Sequence, residues 1–132
     1  MINSVCFDDV LLVPQFSDII SRKEIDLVSC IDNRYRFRLP IISSPMDTVT
    51  GTKMAHAMSD LGGLGIIHRY NTIADQVAMV NSVLDNDYLE GNEVIGVAVG
   101  ASGDYLERAS LLASAGAKVI CVDIAHGHHA LM

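Results

Sequence analysis

Apolar residues come in four short runs along the chain, and each run ends in small or polar residues. The runs are nearly continuous rather than alternating, which is typical of parallel β-strands that are buried on both faces. They occupy residues 39–46, 63–68, 94–100 and 118–127. The pattern therefore predicts four parallel strands.

Three stretches between these runs have the spacing of amphipathic helices. They cover residues 52–61, 72–84 and 104–115. In the first stretch, Met54 and Met58 predict a stripe that faces the core. Thr72 and Asp75 open the second with the spacing of a capping box, and Gly116 after the third is a typical C′ residue.

The order of these elements, β-α-β-α-β-α-β, predicts a parallel sheet with right-handed crossovers. The strand ends recur at a spacing comparable with the roughly 31 residues per unit of a (β/α)₈ barrel. We predict an α/β fold, a single domain over 1–132, in which residues 39–132, about four βα units, would make half of a TIM barrel. Residues 1–38 are expected to form an extended N-terminal arm or hairpin. The alternative is a small doubly wound sheet, whose site would also lie at the carboxyl ends of its strands.

Composition narrows the class of protein. The chain has 132 residues, half of them hydrophobic, and a formal net charge of −7. That length and apolar content can build one domain with a core, while the acidic balance argues against nucleic acid or an anionic membrane as a partner. The N-terminus lacks the basic region of a signal peptide, and no apolar run approaches the ~20 residues that span a bilayer. We expect a cytoplasmic protein.

Polar residues at the carboxyl ends of parallel strands are the candidates for function. Asp123 is the strongest, because a carboxylate directly after an apolar run is costly to bury without a partner or ligand. Acids at such positions commonly accept hydrogen bonds from ribose hydroxyls, although an aspartate that caps a turn is an equal alternative. The other strand-end candidates are Ser43, Ser44, Met46, Asp47, His68, Arg69, Asn71, Ser102, His126, His128 and His129.

Two other kinds of site are less well supported. No carboxylate or cysteine completes a metal-ligand set around the histidines of 126–129, so we predict no metal site. The three cysteines, Cys6, Cys30 and Cys121, match neither a disulfide framework nor a zinc spacing. Cys121 lies inside an apolar run, where a thiol is usually inert and has a raised pKa. We therefore expect no catalytic nucleophile among them.

Several stretches closely resemble one family, the IMP dehydrogenases and GMP reductases. They follow the order of the family and cover most of the chain: FDDVLLVPQ (7–15), SRKEIDL (21–27), LPIISSPMDTVT (39–50), MAHAMSDLGGLGIIHR (54–69) and GASGDYLERASLLASAGAKVICVDIAHGH (100–128). The number of ordered matches makes another phosphate–sugar barrel with accidental similarity a weak alternative.

The resemblance implies a (β/α)₈ barrel that binds a purine nucleotide, IMP or GMP, and NAD or NADP at its C-terminal face. In this family a cysteine on a later loop attacks purine C2. The dehydrogenase converts IMP to XMP with NAD, and the reductase converts GMP to IMP and ammonia with NADPH. The resemblance also implies a homo-oligomer, a tetramer, and a monovalent cation bound by a downstream loop.

Site residues are implied in the same way. Ser44 and Met46 resemble the residues that contact the nucleotide, through a hydroxyl and through a thioether that packs on the purine. The remaining positions resemble cofactor contacts: Asp123, Ile124 and Ala125 at the turn after the fourth strand, Arg69 after the second, and Ser21 and Arg22 in the arm. For Ser21 and Arg22, an exposed arm without a ligand is an equal alternative.

Three departures from the family pattern shape the expectation. Only residues 85–93 fill the place where many dehydrogenases carry a regulatory nucleotide-sensing insertion, so we expect none. HGHHALM lacks the serine that commonly follows AHGH. The sequence stops after the fourth strand, so the catalytic cysteine is expected downstream of Met132, and the chain is expected to be truncated and inactive alone. The non-enzymatic alternative is a half barrel that self-associates or docks to a complementary half through its open edges.

Overall fold

The computed structural model describes residues 5–85 and 94–132. Within these residues the predicted alternation of strands and helices is confirmed, and an antiparallel hairpin precedes it. The elements are β1 (Ser29–Cys30), β2 (Arg36–Phe37), β3 (Ile42–Ser43), α1 (Thr52–Leu61), β4 (Leu64–Ile67), α2 (Ile73–Leu84), β5 (Gly96–Val99), α3 (Tyr105–Ser114) and β6 (Val119–Val122).

The helix ends follow from local chemistry. α1 has the predicted bounds, and α2 begins after Thr72, whose hydroxyl accepts a hydrogen bond from the Asp75 backbone N–H at 3.1 Å. This confirms Thr72 as the N-cap residue. Gly62 and Gly116, with φ of 81° and 110°, follow α1 and α3 in the left-handed region that favours glycine.

All strand pairs of the larger sheet are parallel, in the order β3-β4-β5-β6. The buried apolar residues of the three helices belong to one cluster on a single face of the sheet: Ala55, Val80, Val83 and Leu112, with Ile67, Val97 and Val99 beneath them. On the other face, Phe37 of the hairpin packs with Leu64, Ile66 and Ala98. A doubly wound sheet would carry helices on both faces, so the described part of the chain is singly wound. Closure into a barrel stays a prediction.

Burial differs between the middle and the edges of the sheet. Every residue of β4 and β5 is buried, as predicted for these runs. The same prediction is wrong for β3 and β6, where Ile42, Ile120 and Val122 remain 53%, 42% and 41% exposed. The reason is positional, because the described helices pack over the middle strands and leave the edge strands partly uncovered.

The predicted core stripe of α1 is also wrong. Met54 is 40% exposed, whereas its neighbour Ala55 is 2% exposed and faces the sheet. Gly65 in β4 explains the choice, since a Cβ built there would lie 2.6 Å from the Ala55 Cα. The helix approaches so closely that Gly65 has no room for a side chain, and the small Ala55 rather than Met54 meets the strand.

The N-terminal arm is exposed over residues 5–28, apart from the half-buried Ser21, and contains two short 3₁₀ turns, Phe7–Asp9 and Arg22–Glu24. β1 and β2 form an antiparallel hairpin after these residues, and the assignment of residues 1–38 to an N-terminal arm or hairpin stays a prediction. The prediction for residues 85–93 falls mostly outside the described residues. None of the helices in the described part is long and apolar enough to cross a membrane.

Replacing Gly65 with alanine should destabilise the protein by about 1–3 kcal/mol, because the new methyl group overlaps the backbone of α1. Urea denaturation followed by circular dichroism measures the change. The matched control is Gly127→Ala, where a Cβ meets nothing within 4 Å and which should change the free energy of unfolding by less than ~0.5 kcal/mol. Equal stabilities for the two variants would contradict the close approach of α1.

Candidate functional site

The carboxyl ends of the four parallel strands lie side by side at one edge of the sheet. β3 leads into Ser44, β4 into His68 and Arg69, β5 into Gly100, and β6 into Asp123. This edge therefore collects most of the polar residues that the sequence singled out.

An ion pair joins two of the predicted site residues across this edge. Arg69 Nε donates to Asp123 Oδ2 at 3.1 Å, and both side chains are about one-third exposed. The arginine passes over Gly100, where a Cβ would lie 3.5 Å from Arg69 Nη1. Asp123 is held in turn by its backbone N–H, which donates to the Val99 carbonyl at 2.8 Å. The structure thus brings together residues 54 positions apart in the chain.

The pair places opposite charges at the carboxyl edge of the sheet and leaves further hydrogen-bond donors and acceptors available to a ligand. A carboxylate offers about four lone-pair sites, and a guanidinium has five N–H donors. Among the described residues, the hydrogen bond between these two side chains uses only one N–H donor of Arg69 and one acceptor site of Asp123. The carboxylate can accept from a sugar diol, while the guanidinium can bind a phosphate through two N–H groups. The donor set fits a nucleotide cofactor.

Ser44 and Met46 lie on the loop after β3, and both are exposed. Thr50 is fully buried and stabilises this loop from the inside. Its hydroxyl donates to the Ser44 carbonyl, and the same Oγ1 lies 2.9 Å from Ser43 Oγ. The Thr50 backbone N–H donates to the Met46 carbonyl at 2.9 Å, and its carbonyl accepts from His68 N at 3.2 Å. The loop is therefore fastened to β4 while its outer side chains remain accessible.

The other predicted site residues are less closely connected. Ile124 is half-buried and Ala125 exposed, directly after Asp123. Ser21 caps the turn Arg22–Glu24 by accepting from Lys23 N at 3.3 Å. In the described part of the chain, no hydrogen bond or ion pair joins Ser21 or Arg22 to the strand ends. Their assignment to the site stays a prediction.

A buried polar cluster behind the strand ends was not predicted. Gln76 of α2 is fully buried, and its amide donates to the carbonyls of Ile67 at 3.4 Å and Ala98 at 2.9 Å. The pairing of β4 with β5 covers only Ile66 and Ile67 against Gly96 and Val97. Gln76 therefore bridges the two strands beyond their last paired residues.

Arg108 of α3 completes this cluster, and its side chain is only 8% exposed. All five of its N–H donors have acceptors: Asp104 Oδ2 from Nε at 3.1 Å and from Nη2 at 2.7 Å, Gln76 Oε1 from Nη1 at 2.7 Å, Asn71 Oδ1 from Nη1 at 3.4 Å, and Asn71 O from Nη2 at 3.1 Å. The hydrogen bond from Arg108 lowers the pKa of Asp104. A sequence signal existed, because Arg108 and Gln76 each precede by four positions an apolar residue of the buried helix face, Leu112 and Val80.

The cysteines and the histidine-rich end give no second site. Burial, and then the charge of Asp123, raise the pKa of Cys121, as predicted for a thiol in an apolar run. Cys6 and Cys30 are exposed. Over residues 5–85 and 94–132, no group of three or more His, Cys, Asp or Glu side chains is arranged to hold a metal ion.

Comparison with known proteins identifies a family for the chain. The family model described as "IMP dehydrogenase / GMP reductase domain" matches residues 4–132. The chain belongs to this family. An inosine-5′-monophosphate dehydrogenase from Cryptosporidium parvum is 33% identical over 160 aligned residues, which include 92% of this chain and 39% of that protein. The enzyme of the same name from Nitrosopumilus maritimus is 49% identical over 77 residues, 58% of this chain and 16% of the relative.

The family resemblance therefore rests on a segment of the relatives. The chain spans between about one-seventh and two-fifths of the length of the curated relatives that it matches. The matched relative from Rhodopirellula baltica, also an inosine-5′-monophosphate dehydrogenase, is 46% identical over 79 residues.

The raised pKa of Cys121 should be visible in its alkylation. We expect iodoacetamide to modify Cys121 at higher pH than it modifies free cysteine, since only the thiolate reacts. Asp123→Asn should shift the Cys121 profile to lower pH, because the negative charge that disfavours the thiolate is removed. Rates are read by mass spectrometry between pH 7 and 10, with Asp60→Asn as the control. Superimposed profiles for Cys121 and free cysteine would contradict the shift.

Proposed function

We propose that this chain supplies nucleotide- and cofactor-binding strand ends of a purine-nucleotide oxidoreductase, one that converts IMP to XMP with NAD. The observation that carries the proposal is the Arg69–Asp123 pair at the carboxyl edge of a singly wound parallel sheet. Family membership supports the reaction class, and the family fold supports the N-terminal half of a (β/α)₈ barrel as the architecture.

In this proposal, the loop after β3 binds the purine nucleotide. The exposed Ser44 hydroxyl can donate to a phosphate or ribose oxygen, and the thioether of Met46, 52% exposed, can pack on the purine face. Thr50 limits the movement of this loop from below. The substrate side of the site is therefore a fixed turn with two accessible side chains.

The cofactor side lies at the other end of the strand row. Asp123 accepts hydrogen bonds from the nicotinamide ribose, with Ile124 and Ala125 along the same turn. Arg69 binds phosphate oxygens through the N–H groups that Asp123 leaves available, and Ser21 and Arg22 approach from the arm. When bound, NAD accepts the hydride that leaves purine C2.

None of the three cysteines of this chain suits the role of the nucleophile that attacks purine C2. Cys6 and Cys30 are exposed on the arm and the hairpin, and Cys121 lies within β6 with a raised pKa. We place the attacking cysteine downstream of Met132, on a loop that also binds a monovalent cation, and we propose that the 132-residue chain is inactive alone. Residues 85–93 carry no regulatory insertion in this proposal.

GMP reductase is the second candidate, and Arg69 favours it. Its guanidinium lies at the strand end with unused donors, which suits the additional phosphate of NADPH. The reductase would release ammonia from GMP to give IMP. We propose either enzyme as a cytoplasmic homo-oligomer, a tetramer, without nucleic-acid or membrane partners.

A non-catalytic half barrel is the alternative from a different class. Ile42 at one edge, and Ile120 and Val122 at the other, leave apolar surface on strands that have open edges. Such a chain would self-associate or dock to a complementary half through these strands.

NAD binding tests the cofactor assignment directly. We expect Asp123→Asn to weaken NAD binding about tenfold, because a charge-assisted acceptor becomes a neutral amide. Asp60→Asn is the matched control, since that carboxylate also has a partner, His56 Nδ1 at 3.1 Å, but lies next to the amino end of β4. Calorimetric titration with NAD and then with NADPH measures the Kd of each cofactor for both variants. The preference between the two cofactors also discriminates the dehydrogenase from the reductase. An unchanged Kd in Asp123→Asn would refute the assigned role.

Turnover and assembly are measured on the same preparation. With IMP and NAD, or GMP and NADPH, we expect no change in reduced cofactor above the rate without protein. Robust turnover by the 132-residue chain would overturn the placement of the nucleophile.

Size-exclusion chromatography with light scattering should show association, and a stable monomer at all concentrations would count against the half-barrel alternative.

A further inference from the structure

The loop between β4 and α2 carries Arg69 and is fastened on both sides of that residue. Before it, the His68 backbone N–H donates to the Thr50 carbonyl at 3.2 Å. After it, the Asn71 carbonyl accepts from Arg108 Nη2 at 3.1 Å. The Arg69 backbone therefore sits between two anchored residues, and Arg108 supplies the anchor that comes from another helix.

Asp123 depends on the same buried cluster through β5. Gln76 accepts a hydrogen bond from Arg108 at 2.7 Å and donates to the Ala98 carbonyl at 2.9 Å. The next residue, Val99, accepts the Asp123 backbone N–H at 2.8 Å. One guanidinium thus reaches the loop that bears Arg69 and the strand that holds Asp123.

We propose that Arg108 is a positioning residue that sets the geometry of the Arg69–Asp123 pair. The inference rests on the proposed function for the role of that pair as a cofactor contact. It extends that function by assigning the alignment of the pair to a buried residue of α3 that need not touch a ligand.

The chemistry of the cluster requires arginine at this position. A guanidinium presents five N–H donors in a planar fork, and all five are used here by acceptors on three residues. A lysine carries three donors on a single atom and cannot reach these acceptors together. Arg108→Lys keeps the charge next to Asp104 and loses the simultaneous contacts with Gln76 and Asn71.

The test is Arg108→Lys in the full 132-residue chain, with arginine labelled at Nε for NMR. The readout is the rate at which the Arg69 Nε–H proton exchanges with water, and that signal is assigned by its change in Asp123→Asn. We expect exchange to accelerate about tenfold or more in Arg108→Lys, because the hydrogen bond to a charged acceptor is lost. A lower Tm with unchanged exchange at Arg69 would show that Arg108 is merely structural and would overturn the proposal.

Two further variants keep the test decisive. Arg38→Lys removes a guanidinium that donates to the Asp60 carbonyl at 2.7 Å beside the amino end of β4, and it should leave Arg69 exchange unchanged. Asp104→Glu shifts the carboxylate that holds Arg108 at a half-exposed site and keeps the negative charge that also acts on Arg69, so it serves if Arg108→Lys does not fold. It should accelerate Arg69 exchange in the same direction, and no acceleration would overturn the proposal.

A titration of the same samples with NAD separates this inference from the proposed function. If Arg108→Lys accelerates Arg69 exchange and weakens NAD binding about tenfold, both are supported. If exchange accelerates while neither the parent chain nor any variant binds NAD, the positioning role stands and the cofactor assignment fails.

Discussion

Burial of β4 and β5 on both faces is the constraint on which the rest of the structure depends. A strand that meets solvent on neither face needs a cover on each side, and here the helices supply one and Phe37 of the hairpin supplies the other. Close covers require small residues, so Gly65 faces Ala55 on the helix side. Gly96 on the opposite side would carry a Cβ only 2.9 Å from Ile66. The closeness of α1 to β4 is consistent with this need.

Where β4 and β5 stop pairing, the same burial leaves backbone carbonyls that need hydrogen-bond donors from outside the sheet. Their carbonyls lie under α2 and α3, and water cannot easily satisfy them there. Gln76 bonds the carbonyls of Ile67 and Ala98, and Arg108 then satisfies Gln76. In the described residues, no buried side-chain nitrogen or oxygen lacks a partner. A structural requirement of the core thus places an arginine directly behind the strand ends that bear the candidate site.

The candidate site shows how far pattern reasoning extends. Parallel strands must end at one edge, so the alternation of strands and helices was enough to place Arg69 and Asp123 at the same edge. Their direct contact could not be read in this way, because it depends on a side chain crossing a glycine on the strand between them. Met54 shows a second limit, because hydrophobic spacing predicted the helix correctly but not the side of the helix that faces the sheet.

By itself, the sequence determined the helices and their caps, the parallel class of the sheet, and the edge that holds the polar residues. These depend on local propensity and on periodicity, which neighbouring residues define. Only the tertiary structure decided that all three described helices cover one face and that the edge strands stay half open. It alone joined Arg69 to Asp123 and gave Arg108 its five acceptors. Such contacts link residues tens of positions apart, and their geometry exists only once the core has packed.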